Sequence, residues 1–196
     1  MSELPELLRR LEAHWRRLRM PIATTARPGL PPERVRQVLS NRGLAAPGDV
    51  LHWWAWHDGA DSYEHHGRTL YSVAVPDTRL LSLDAAVNLY EEHVLAGHSF
   101  PPTGYDGWLP IARHGNGSLV VVDCRTPALT ATTTVIDREL QIVPADRRPS
   151  SLAVPVRWWV EFFDEGLWRF DTKKHEWIDL VFERSTHEER ELTGLI

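Results

Sequence analysis

Leu4, Leu7, Leu8, Leu11, Trp15 and Leu18 recur at 3.6-residue spacing and predict an amphipathic helix that begins at Glu3 and is ended by Pro21. Ser2 is placed to cap it, and Pro5 falls in the first turn, where a missing N–H costs nothing. Arg9, Arg10, Arg16, Arg17 and Arg19 fill much of the opposite side. A solvated helix face accounts for them without an RNA or membrane partner. Residues 26–32, ARPGLPP, read as a turn or linker. Pro32 opens a second helix with Val35, Val38 and Leu39 on one side and Gly43 near its end. Asp49 is expected to cap a third helix, Val50 to His57, which stops at Asp58-Gly59. Trp53, Trp54 and Trp56 make it apolar nearly all round, the pattern of a helix buried in a core or presented to a partner.

Polar residues 60–67 read as a loop, followed by strands at Arg68–Val75 and Arg79–Leu81 around a Pro76-Asp77 turn. Ser82 caps a fourth helix through about Leu95, with Leu83, Ala86, Val87, Tyr90 and Val94 on one stripe and Gly97 as its stop. After a Pro/Gly loop at 98–107 comes WLPIARHGNGSLVVVD, residues 108–123. Its two apolar runs flank His114-Gly115-Asn116-Gly117, and Gly and Asn accept positive φ at little steric cost, so the stretch reads as a hairpin. Four consecutive aliphatics, Leu119 to Val122, predict a strand covered on both faces at the centre of a sheet. Leu129 to Val143, rich in Thr, Val and Ile, is expected to pair beside it. A charged turn at Asp146–Pro149 leads to a last helix, capped by Ser150 or Ser151, lined by Leu152, Val156, Trp159 and Phe163, and ended by Gly166. Pro155 fits that helix only within its first turn. Residues 167–182 read as a closing hairpin, with Trp168 and Phe170 on one arm and Trp177 on the other. The charged tail 183–196 is expected to fray.

Composition adds three constraints to this picture. Nine tryptophans are costly to leave in water, so most belong in a core or an interface. The single cysteine, Cys124, excludes an internal disulfide and reads as a small buried hydrophobe, consistent with a reducing, cytoplasmic compartment. No apolar run approaches the ~20 residues that span a bilayer, and MSELPELLRR lacks a signal-peptide core. Charge is uneven. Residues 1–50 carry nine Arg against five Asp/Glu, and the remainder carries thirteen Lys/Arg against twenty-two Asp/Glu. An acidic body argues against nucleic acid as the ligand and suits a protein partner.

Catalytic chemistry was sought in the pattern and not found. His52 and His57 are five apart and lie on different helix faces; His65 and His66 are adjacent on a loop beside Glu64; His93 and His98 straddle a helix end. None has the i,i+4 spacing of a helical zinc pair, and neither HExxH nor a cysteine cluster occurs. Gly115-Asn116-Gly117 lacks the Lys-Ser/Thr of a phosphate loop, and no GxSxG is present. The carboxylate pairs Glu91-Glu92 and Asp164-Glu165 sit near helix ends, as solvated faces do. The chain therefore reads as a non-enzyme with no cofactor and no metal.

Three stretches resemble the SUKH superfamily, which includes bacterial toxin-immunity proteins and fungal cell-wall assembly regulators of the Smi/Knr type. APGDVLHWWAWHDG (46–59) is similar to that family's segment ending in His-Asp-Gly, with Ala46 where the family has Leu. GWLPIARHGNGSLVVVD (107–123) is similar to its Trp-Leu-Pro hairpin, with Gly117-Ser118 where Gly-Asp is usual. GLWRFDTKKHEWID (166–179) is similar to its closing hairpin, and RLLSLDAAVNLYEEH (79–93) to its strand-then-helix element. The resemblance implies an α+β domain over residues 26–182, with a mixed or mainly antiparallel sheet and helices against it, preceded by the helix of residues 1–25 and followed by the tail. It implies a protein that works by binding, most simply an immunity protein that neutralises a cognate toxin domain, often a nuclease. The alternatives are a regulatory scaffold and, further off, a metal-dependent hydrolase. Asp58, Gly59, Trp108, Pro110, Gly117 and Asp123 are expected to be structural. Trp54, Trp56, Tyr63, Tyr105 and Trp158 are the aromatic candidates for a partner surface, provided they are exposed.

Overall fold

In a computed structural model, which describes residues 2–92, 106–136 and 144–180, the N-terminal leucine stripe forms helix α1 (Leu4–Arg17). Leu4, Leu7, Leu8, Leu11 and Trp15 are all buried in it. The Ser2 hydroxyl accepts from the Leu4 amide at 3.2 Å, the capping role its position suggests. A single turn, α2 (Ile22–Thr25), leads into β1 (Ala26–Pro28). The stretch read as a linker thus holds a strand: β1 pairs antiparallel with β2 (His57–Ala60), which follows directly on α4. Helices α3 (Pro32–Ser40) and α4 (Gly48–Trp56) lie where the spacing puts them. Residues 60–67 are likewise not a plain loop, since β3 (Tyr63–His65) and β4 (Arg68–Leu70) form a hairpin. Of the expected Arg68–Val75 strand, β4 takes the first part and Val75 makes an isolated bridge to Thr78, and β5 (Thr78–Leu80) follows the turn at Asp77.

Helix α5 (Leu83–Tyr90) is capped by Ser82, whose Oγ accepts from the Ala85 amide at 3.1 Å. The expected extension of that helix to Leu95 and its stop at Gly97 lie outside the described residues, apart from one further turn at 91–92. β6 (Trp108–His114) and β7 (Leu119–Asp123) form the predicted hairpin and are the two inner strands of a four-stranded antiparallel sheet, order β5-β6-β7-β8. β8 (Thr133–Ile136) pairs with β7 as expected; the rest of the Thr-rich run, 137–143, is outside the described residues. Pro110 interrupts an inner strand without an N–H to donate. The register shift between Pro110 and Ala112 is the bulge that accommodates it. Helix α6 (Ala153–Asp164) holds Pro155 within its first turn, and β9 (Trp168–Asp171) pairs with β10 (Glu176–Asp179) as the closing hairpin.

The protein is therefore α+β with antiparallel sheets, and its helices share one large core. Trp15, Trp53, Trp54, Trp159 and Trp168 are fully buried, Trp108 is 2% exposed, and Trp56, Trp158 and Trp177 are half-buried. Some indole N–H groups find acceptors as they enter: Trp15 donates to the Ala74 carbonyl at 2.7 Å and Trp54 to that of Leu81 at 3.3 Å, whereas the buried N–H groups of Trp159 and Trp177 have no acceptor among the described residues. The second sheet face carries Trp108, Leu119, Val121 and Ile136 with Leu89 beside them.

Asp49 departs from its expected role. The α4 start has no side-chain cap; instead the buried Asp49 carboxylate reaches across to the start of α6. One oxygen accepts from the Leu152 amide (3.0 Å), the Ser151 hydroxyl (2.9 Å) and the Ala131 amide (3.1 Å). The other accepts from Ser2 at 3.4 Å. A charge so far from water is tolerated because each oxygen has donors aimed at it. Three separate stretches of chain are thereby tied to one side chain.

Candidate functional site

Two small hairpins meet at their tips. In the first, His66 and Gly67 both take positive φ (48° and 73°), the paired left-handed turn that matches the twist of short antiparallel strands. In the second, the Asp171 carboxylate accepts from the amides of Lys173 (2.9 Å) and Lys174 (3.1 Å), and His175 closes the turn at φ 54°. His65 then stacks on His175 with ring centroids 3.6 Å apart, and the His175 Nδ1 lies 3.4 Å from the Tyr63 hydroxyl. His66 sits against His65 at 4.1 Å. Burial of the ring, with His175 and His66 alongside, holds the His65 pKa below the ordinary histidine value. Burial also pushes the Tyr63 phenol up.

Each hairpin offers a cross-strand pair to the space between them: Tyr63 with Leu70 from one, Phe170 with Trp177 from the other. They line a groove of about 380 Å³ that also takes in Tyr71 and Arg79. Tyr71 is 68% exposed, and the Arg79 guanidinium lies 4.1 Å from its ring centre. The far wall is anchored, since Trp177 packs on Phe170 at 5.6 Å and on the core residue Phe163 at 5.9 Å. Tyr63 and His175 also line a second recess of about 500 Å³, bounded by Arg16, Arg19, Thr24 and Thr25. The two recesses are thus neighbours across one Tyr–His contact, aromatic on one side and cationic on the other.

The residues expected to be structural occupy load-sharing positions in the fold. Asp58 Oδ1 accepts from the Leu83 amide at 2.7 Å, a second cap on α5. Gly59 (φ +76°) lies so close to that helix start that a Cβ would come within 2.7 Å of the Ser82 nitrogen. Trp108 is buried under the Arg125 and Arg148 guanidinium groups, 5.6 and 5.3 Å from its ring centre. Gly117 takes φ +99° in the central turn. Asp123 holds Arg125 through its Nε at 2.9 Å and its backbone amide at 3.0 Å. That contact keeps the Asp123 carboxyl below the usual range.

Of the partner candidates, Trp54 is corrected outright: it is 0% exposed. Trp56 is half-buried with its N–H turned to the Glu12 carboxylate at 3.3 Å, and Trp158 is half-buried against the core. Tyr105 lies outside the described residues. Tyr63 lines both recesses. Tyr71, Phe170, His175 and Trp177 were missed. Phe170 and Trp177 were placed on the two arms of the closing hairpin without a functional role, and the separation of 112 residues between Tyr63 and His175 leaves no trace in local spacing.

Among the described residues, no group of three or more His, Cys, Asp and Glu is arranged to hold a metal ion. Cys124 is buried, and burial pushes its thiol up, away from the reactive thiolate. No helix among them is long and apolar enough to cross a membrane. No protein-family model matches this chain, and no curated protein matches it.

Proposed function

We propose that this chain is a non-catalytic protein-binding domain, and that it acts as an immunity protein that neutralises a cognate toxin by direct contact. The observation that supports the reading is the open aromatic recess between the two hairpins. Exposed Tyr71, half-buried Tyr63 and the Phe170–Trp177 pair are the rigid, amphipathic side chains that anchor protein interfaces. Asp58, Gly59, Gly117 and Asp123 serve as a helix cap, a close-packed turn, a hairpin turn and an arginine clamp, fold-shaping roles on which the reading leans. An interface of standard size, ~1,600 Å² in total, is the expectation for such a complex.

The test is co-expression and pull-down with the product of the neighbouring gene. Capture of that product, together with rescue of a host cell from its toxicity, is the expected result. A chain that captures no such product and rescues no cell is not an immunity protein.

A further inference from the structure

On the protein-binding reading just given, we propose that the paired recesses around Tyr63 and His175 receive one extended segment of the partner, in which a carboxylate side chain lies beside a large apolar or aromatic one.

The chemistry of the two halves is what selects that segment. The hairpin half presents four apolar or aromatic walls, Tyr63, Leu70, Phe170 and Trp177, with Tyr71 standing exposed at the rim. An aromatic or branched aliphatic side chain gains there both area burial and edge-to-face contacts. The α1 half presents Arg16 and Arg19. Arg16 is paired with Glu12 along the helix, whereas Arg19, held at φ 53° just past the helix end, forms no ion pair among the described residues. An exposed arginine fork with no carboxylate of its own is a ready partner for an incoming one. Each recess, at about 380 and 500 Å³, has the volume of a site that takes a large side chain or two. Two halves of different character, divided only by the Tyr63–His175 contact, demand neighbouring side chains of different character on one strand-like segment. In an extended strand successive side chains point to opposite faces, so residues two apart lie on one face and reach adjacent sites.

Charge at this place runs against the charge of the molecule. The chain as a whole is −5, yet the recess is flanked by Arg16, Arg19 and Arg79, with Asp77 the acidic residue among its walls. The Asp77 carboxylate is exposed and lies 3.7 Å from the His114 ring; Arg19 and Arg79 outnumber it along the walls of the two recesses. A cationic spot beside an aromatic groove attracts an acidic segment, and the two together help to set its register.

The probe is a fluorescein-labelled peptide of Glu-Ser-Phe-Ser repeats, which puts Glu and Phe two apart on one strand face, titrated against the full chain and followed by anisotropy and by ¹⁵N amide shifts. A Lys–Phe peptide of equal length is the comparison. The Glu–Phe peptide is expected to bind at least tenfold tighter, with shifts confined to residues around 16–25, 63–79 and 170–177. Arg19→Glu and Tyr71→Ala, both exposed and neither in the core, are each expected to weaken it at least fivefold without changing the circular dichroism spectrum. Equal affinity for the two peptides, shifts centred elsewhere, or undiminished binding by both variants overturns the proposal. Repeating the neighbouring-gene pull-down with the Arg19→Glu/Tyr71→Ala double variant separates the two readings. Undiminished capture by the double variant overturns the recess and leaves the protein-binding reading standing. No capture even by the unaltered chain sinks the protein-binding reading, while the peptide titration still decides the recess.

Discussion

At the scale of single residues, the most consequential side chain is Asp49. Its carboxylate is fully buried, and one oxygen receives the amides of Ala131 and Leu152 together with the Ser151 hydroxyl. Asp49→Ala removes the acceptor and strands two buried N–H groups. Each unsatisfied group costs roughly 1–3 kcal/mol, so a loss of about 3 kcal/mol or more is expected in urea unfolding. Asp49→Asn keeps one acceptor oxygen and is expected to fall between the two. A loss below about 1 kcal/mol for the alanine variant would mean that water takes over those bonds. Asp123 supports a pH prediction. Arg125 holds its carboxyl below the ordinary value in the folded chain, so the pair contributes stability that is present above the unfolded carboxylate pKa. That contribution is lost as pH falls through the folded value, because protonation removes the acceptor charge. Asp123→Asn is expected to flatten part of the acid limb of the stability curve, measured as the urea midpoint from neutral pH downward. An acid limb unchanged in shape would refute the role.

Among the elements, α5 shows how a helix start is specified twice. Ser82 accepts from the Ala85 amide, and Asp58, 25 positions earlier, accepts from the Leu83 amide at 2.7 Å. Asp58→Ala is expected to cost ~1 kcal/mol and to speed amide exchange in the first turn of α5 above that of α1 or α6. Exchange raised equally everywhere would show a global effect instead. The Ser82 cap was legible in the sequence because it is local: a serine stands immediately before a periodic apolar run. The Asp58 cap was not, since nothing near Asp58 announces a helix 25 residues on. The same division runs through the fold. α1, α6 and the β6–β7 hairpin follow from apolar period and turn glycines. β1 is hidden inside ARPGLPP because its partner, β2, lies 30 residues away. The β3–β4 hairpin is hidden because its turn is His66-Gly67 where Asn-Gly is the familiar signal, and its strands are only three residues long. The recess inherits that blindness. Tyr63 could be named for being aromatic, but its grouping with Tyr71, Phe170 and Trp177 depends on two hairpins whose meeting no local pattern encodes.

For the whole molecule, the question is whether α1 is an appendage or part of the fold. Its buried leucines belong to the same core as α4, α6 and the inner sheet face. Arg10 reaches Asp164 at 2.6 Å, and Arg157 reaches Glu3, so the start and the middle of α1 are also tied to α6 by charge. Those pairs are exposed and worth little by themselves. Trp15 carries more. It is 0% exposed, packs on Trp56 at 5.0 Å, and gives its N–H to the Ala74 carbonyl. Trp15→Ala is expected to cost ~3–5 kcal/mol in lost packing, with a further penalty for the orphaned carbonyl. Against a typical total of ~5–15 kcal/mol that is a large share of the stability. If α1 is integral, the variant still unfolds in a single transition at a lower midpoint, with far-UV circular dichroism and tryptophan fluorescence tracing coincident curves. If α1 is an appendage, helical signal is lost first while fluorescence from Trp53, Trp159 and Trp168 holds until a later step. The shared core requires the first outcome, because removing α1 uncovers the apolar faces of α4 and α6 together.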